Sequence, residues 1–219
     1  MKLYFAPGAC SLADHIALRE AGLAFDPVRV DLKAKKTEDG QDYAAINPKG
    51  YVPALAFDDG AVLTENVAIL SWIADQASTL APKGVLARYR LLEMLAYLSS
   101  EVHKAFAPFF NPAAGEADKA KASQTISRRL GYIADRLDQD YLFGPAFSVA
   151  DAYLFVMEMW AKRNGLPLAD ALSRHVDRVS RRPAVREALE YEGLAPSDAA
   201  AEPDAPARPR PADQAHRAG

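Results

Sequence analysis

The feature that most constrains this chain is a change of hydrophobic period near residue 80. Before it, short runs of strand character alternate with helical stretches; beyond about residue 85 only helical spacing remains. Such a division calls for one layered α/β unit followed by a unit built of helices alone. Leu3-Tyr4-Phe5 reads as a strand, and Leu12, Ala13, Ile16 and Ala17 recur behind it at helical spacing. From Phe25 to Leu32, Val28, Val30 and Leu32 alternate with Arg29 and Asp31, the period of a half-buried strand. A loop carrying Lys33, Lys35 and Lys36 follows, then a short helical turn over Asp42 to Asn47. Asp58-Asp59-Gly60 between two apolar runs predicts a hairpin, and Thr64 stands where it would cap a helix from Glu65 to about Gln76.

In the second half, Leu91, Leu92, Leu95, Leu98, Val102 and Phe106 form one long helical stripe, and Ile126, Leu130, Ile133 and Leu137 a second. Ser148 with Asp151 opens a third helix, Val149 to about Lys162, as a capping-box-like start. Two shorter helices are expected near Ala169 to Arg178 and Ala184 to Tyr191, the last with Pro183 close to its start. Pro82 and Gly84 mark Ala77 to Gly84 as a linker. The expected domains are therefore residues 1–80 and 85–194. Residues 195–219 are rich in Ala, Pro, Asp and Arg and poor in large apolar side chains, so a disordered tail is expected there.

The net charge of −3 argues against nucleic acid or an anionic membrane as the main partner. No apolar run reaches spanning length and no signal-type segment opens the chain, so a cytoplasmic protein is expected. No Cys-x-x-Cys, His-Glu-x-x-His or Gly-rich phosphate loop is present, so no metal is expected.

The single cysteine, Cys10, falls between the first strand and the first helix, in Pro7-Gly8-Ala9-Cys10-Ser11-Leu12-Ala13. Ser11 and Asp14 read as a helix-start pair, which would set Cys10 beside unpaired N–H groups and the positive end of the helix dipole. That setting lowers a thiol's pKa and favours the reactive thiolate; the competing reading is an inert buried cysteine. In Tyr51-Val52-Pro53, a cis Val52–Pro53 bond would leave the Val52 N–H and C=O free to pair with an extended peptide, although trans is expected from the local sequence alone. Glu65 and Asn66 lie at a helix start, where free N–H groups could bind a ligand carboxylate while Glu65 pairs an amine; taken singly, the simple structural role of an acid at a helix start is the expected one. His103 and Lys104 follow Ser100 and Glu101 on the long helix, and a lone helical histidine is ordinarily structural. His15, His175 and His216 show no pattern of partners.

Taken in order, these pieces resemble a bacterial glutathione S-transferase, most closely the beta class. The matching stretches are Pro7 to Ala13, Asn47-Pro-Lys-Gly-Tyr-Val52-Pro53-Ala-Leu, Leu63-Thr-Glu65-Asn66-Val-Ala-Ile, Glu101-Val-His103-Lys104 and Phe147-Ser148-Val-Ala-Asp151-Ala-Tyr. The resemblance implies a thioredoxin-like N-terminal domain, an all-helical C-terminal domain and a homodimer. It implies a cis Pro53, with the Val52 backbone pairing the cysteinyl part of glutathione. Glu65 and the Asn66 backbone would hold the γ-glutamyl end and Lys35 would reach the glycine carboxylate. Ser100 and Glu101 would reach the γ-glutamyl group bound in the other subunit, with His103 and Lys104 near the sulfur. The implied reaction joins glutathione, as co-substrate, to a small hydrophobic electrophile, with Cys10 and His103 as the catalytic pair. Two alternatives stand beside it: thiol–disulfide exchange through Cys10 itself, and a non-catalytic binding protein on the same fold.

Overall fold

The computed structural model describes residues 1–194, and the tail expected beyond them lies outside the described residues. Strand β1 (Lys2–Phe5) leads through a tight turn to α1 (Leu12–Glu20) and back to β2 (Asp26–Asp31). A two-residue strand β3 (Lys36–Thr37), which no periodicity in so short a run announces, precedes α2 (Tyr43–Ile46). The expected hairpin forms as β4 (Ala54–Ala56) and β5 (Val62–Thr64), followed by α3 (Asn66–Gln76). The sheet order is β3-β2-β1-β4-β5, with β1 parallel to β2 and antiparallel to β4, the thioredoxin-like arrangement.

Alternation along β1 explains the layers. Leu3 and Phe5 face the buried side chains of α1 and α3, among them Ile16 and Ile69. Tyr4 faces the other side, where its ring meets Tyr43 of α2 at 5.7 Å between centroids.

The second half is helical: α4 (Ala87–Tyr97), α5 (Ala107–Phe110), α6 (Glu116–Ala134), α7 (Val149–Arg163), α8 (Asp170–Ser180) and α9 (Pro183–Tyr191). The long stripe from Leu91 does not run through as one α-helix. It changes to π-helical winding over Leu98–His103. Helix α7 is apolar nearly all round and is the buried shaft against which α1 and α8 pack. Its cap is as expected, with the Ser148 N–H donating to Asp151 Oδ2 at 2.8 Å. Two other caps differ from expectation. Ser11 Oγ turns back to accept from the Ala6 N–H at 3.2 Å, and Asp14 is drawn inward by α3. Thr64 ends β5, and the residue before α3 is Glu65, at φ 75° and ψ 127°.

Candidate active site

Cys10 sits in the turn between β1 and α1. Its Sγ donates to the Val52 carbonyl at 3.6 Å, and the Val52–Pro53 peptide is cis. The N–H groups of Cys10 and Ser11 favour the thiolate as the helix start should, but they are outweighed. Burial, reinforced by the nearby charge of Asp14, pushes the thiol up to about 12. The expectation of a depressed pKa is therefore corrected: desolvation beats the helix end, and the thiol stays protonated.

Asn66, the first residue of α3, braces this turn with its side chain. Its Nδ2 donates to the Cys10 carbonyl at 2.9 Å and to Asp14 Oδ2 at 2.8 Å. Burial raises the Asp14 carboxyl well above its usual range, and its Oδ1 has no hydrogen-bond partner among the described residues.

Glu65 immediately precedes α3 and is half-exposed. A positive φ on a residue with a Cβ costs on the order of 1–3 kcal/mol. Here it lets the Glu65 carbonyl start α3, accepting from the Ile69 N–H at 3.0 Å, while the carboxylate swings outward. That carboxylate accepts from Lys49 Nζ at 2.5 Å and Tyr51 Oη at 2.8 Å, and Lys49 foremost lowers its pKa. Lys104, from the helical half, lies close enough to add to that lowering. The loop below is tied by Lys35 Nζ donating to the Gly50 carbonyl at 2.5 Å and by Asn47 Nδ2 donating to the Tyr51 carbonyl at 2.7 Å.

His103 ends the π-helical segment. Its Nδ1 lies 2.8 Å from Tyr153 Oη and its ring meets Trp160 edge-on at 4.9 Å. Burial, then the charge of Lys104, pushes the imidazole down to about 4, so it is neutral near pH 7. Ser100 is exposed and Glu101 pairs with Arg129 Nη2 at 2.5 Å; neither hydrogen-bonds to another predicted site residue.

The structure thus joins Cys10 to Val52 and Asn66, and sets Lys104 beside Glu65. Lys49 and Tyr51 were missed although they flank Gly50 inside a stretch already singled out. Tyr153 lies two residues past Asp151 in another. Two of the histidines without visible partners prove to have them: His15 Nδ1 lies 2.9 Å from Glu192 Oε1, and His175 contacts Glu158 and Asp151; His216 lies outside the described residues. Nothing local signals contacts across such separations. Among the described residues no group of side chains suits a metal ion, and no helix is long and apolar enough to cross a membrane.

Comparison with known proteins bears on the same residues. The family model described as "Glutathione S-transferase, N-terminal domain" matches residues 9–76, and that described as "Glutathione S-transferase, C-terminal domain" matches residues 97–183. Glutathione S-transferase GstA of Escherichia coli O157:H7 is 44% identical over 200 residues, covering 89% of this chain and 100% of that protein. A sphingomonad glutathione S-transferase complexed with glutathione superposes with a TM-score of 0.84 at 51% identity, over 89% of this chain and 100% of the other. A bacterial beta-class glutathione S-transferase of Sphingomonas chungbukensis gives 0.82 at 48% identity, again over 89% and 100%.

Proposed function

The chain belongs to the glutathione S-transferase family, and from that premise we propose a division of labour: glutathione supplies the attacking sulfur, while Cys10 remains a neutral thiol donating to it. The observation that carries this reading is the Cys10 Sγ–H donating to the Val52 carbonyl at 3.6 Å, in a setting where burial pushes the thiol pKa up. A group that keeps its proton up to about 12 is a hydrogen-bond donor at neutral pH, and a thiolate brought within reach is its natural acceptor. The glutathione thiolate then attacks the electrophilic carbon of a small hydrophobic acceptor. The new S–C bond forms, the leaving group departs with its electron pair, and the thiol proton is lost to solvent. Positioning and thiolate stabilisation do the catalytic work.

Around that sulfur the assignments follow the polarity of the tripeptide. The Val52 backbone, beside the cis Pro53, would pair its cysteinyl portion in strand fashion. Glu65 would take the γ-glutamyl amine and the Asn66 backbone N–H its carboxylate. Lys35 would take the glycine carboxylate. His103, neutral, and Lys104 would flank the sulfur. Ser100 and Glu101 would serve the partner subunit's site in a homodimer, which fits the absence of a hydrogen bond from either to another site residue among the described residues. We further assign residues 1–80 to the glutathione-binding domain and 85–194 to the helical domain, with cytoplasmic detoxification of electrophiles as the role and no metal.

Exchange through Cys10 would require the thiolate that burial opposes. The test is calorimetric titration with reduced glutathione, followed by conjugation assays on Cys10→Ala. Binding should be retained, and conjugation should fall by about tenfold or less, the worth of one hydrogen bond. Loss of all conjugation in Cys10→Ala, with glutathione still bound, would overturn the assignment.

A further inference from the structure

Gly8, two residues before Cys10, is gripped on both sides of its backbone by the helical half of the chain. Its N–H donates to Glu192 Oε2 at 2.9 Å, and its carbonyl accepts from Trp160 Nε1 at 2.8 Å. Gly8 has φ +69°, so the position favours glycine on conformational grounds, while a Cβ added there would meet Leu194 Cδ2 at 3.5 Å, an ordinary packing contact. Neither partner belongs to the turn. Glu192 follows α9 and Trp160 lies near the end of α7, separated from Gly8 by 184 and 152 residues.

Each partner is itself fixed. The Glu192 carboxylate is fully buried, and its second oxygen lies 2.9 Å from His15 Nδ1. Arg19 Nε donates to His15 Nε2 at 3.0 Å, so that nitrogen is the acceptor and Nδ1 carries the proton toward Glu192. Arg19, His15 and Glu192 thus form a chain that ends on the Gly8 N–H, with a buried anion compensated by a guanidinium through a neutral ring. Trp160 is held by aromatic edges: His103 at 4.9 Å, Phe110 at 4.7 Å and Phe106 at 5.5 Å. The same indole therefore bonds the Cys10 turn and packs against His103.

We propose that Trp160 and Glu192 are positioning residues for chemistry at the sulfur: together they clamp the Gly8 peptide and so fix the Cys10 thiol relative to His103. This rests on the function proposed above, in which glutathione sulfur is held between those two side chains. A small displacement there matters, because an ångström of misplacement at a reacting centre can cost about a hundredfold in rate. The glutathione-holding residues Val52, Glu65 and Lys35 lie outside the clamp, so its loss should act on turnover rather than on binding.

The test uses the full chain carrying Trp160→Phe, which keeps an aromatic ring against His103 and deletes the N–H to Gly8, and separately Glu192→Gln. Two readouts are taken: steady-state conjugation of glutathione to an aryl halide, and the rate of Cys10 alkylation by iodoacetamide, which needs no glutathione. Melting temperature and circular dichroism identify a variant that has not folded, in which case the other variant decides. The proposal expects kcat to fall about tenfold with KM for glutathione within about twofold, and Cys10 alkylation to rise about fivefold as the turn loosens. A purely structural role would lower the melting temperature without that split. Alkylation within about twofold of the parent in a folded variant would overturn the clamp, whatever the activity. Absence of conjugation in the parent protein would instead refute the underlying reading of function, and the alkylation arm would still decide the clamp.

Discussion

Raising pH in the presence of iodoacetamide reads the state of Cys10 directly, because only the thiolate reacts. With its pKa near 12, the fraction ionised at pH 7.5 is about 3 in 100,000, against roughly one in ten for a free cysteine near pKa 8.5. That difference alone slows alkylation about three-thousandfold. A more basic thiolate is a better nucleophile, and a Brønsted slope of about 0.4–0.5 over ~3.5 units returns a factor of about 25–55. The net expectation is alkylation about a hundredfold slower than for a free thiol at pH 7.5. The assay follows incorporation by mass spectrometry from pH 6 to 10, with free glutathione as the reference. The log of the rate should climb by about one per pH unit across the whole range without a plateau. A plateau with its midpoint near pH 7 would refute the reasoning, since it would show that the helix start outweighs burial and that Cys10 is the nucleophile.

Glu65→Gln removes the charge that Lys49 and Tyr51 now share, and should weaken glutathione binding by about tenfold or more, as for a lost charge-assisted hydrogen bond; equal affinity in calorimetry would exclude Glu65 from the ligand's amine. Burial, then Lys104, sets His103 near 4, so a pH–rate profile should show no limb from this imidazole between about pH 5 and 8, and His103→Gln should leave its shape unaltered. The same depression means that the unfolded chain, with histidine near 6.5, binds more protons over that interval, so the His103 contribution to stability is lost as pH falls from about 6.5 through 4. His175 has the opposite sign: burial alone would lower it, but Glu158 and Asp151 raise it to about 9. Its contribution is full below about pH 6.5 and is lost as pH rises through 9, which melting curves of the parent and His175→Gln between pH 6 and 10 will show as a converging difference.

What the sequence disclosed depended on whether the cause was local. The hairpin at Asp58-Asp59-Gly60, the Ser148–Asp151 cap and Pro183 at the head of α9 are each decided by neighbours a few residues apart, and each was legible. Ser11 and Asp14 have the spacing of a cap, yet Asp14 is claimed by Asn66 from 52 residues away, a competition no local pattern contains. The π-helical segment was hidden because Leu98 and Val102 keep an ordinary helical spacing and both remain buried. Of the candidate site, the residue types and their order could be read, and with them the family. The protonation of Cys10 could not, because burial is a property of the packed domain rather than of the turn. Nor could the hold of Glu192 and Trp160 on Gly8, which exists only once the two halves of the chain meet.

The pairing of Glu65 with Lys49 means that the protein arrives at its proposed ligand with that ligand's ammonium already impersonated by one of its own side chains. An incoming amine must evict a tethered rival rather than fill a waiting socket. The exchange swaps one cation for another, so the lost Lys49 contact offsets part of the gain from the ligand's amine, and the corner selects for a correctly placed amine in a ligand whose conjugate must leave after each turnover.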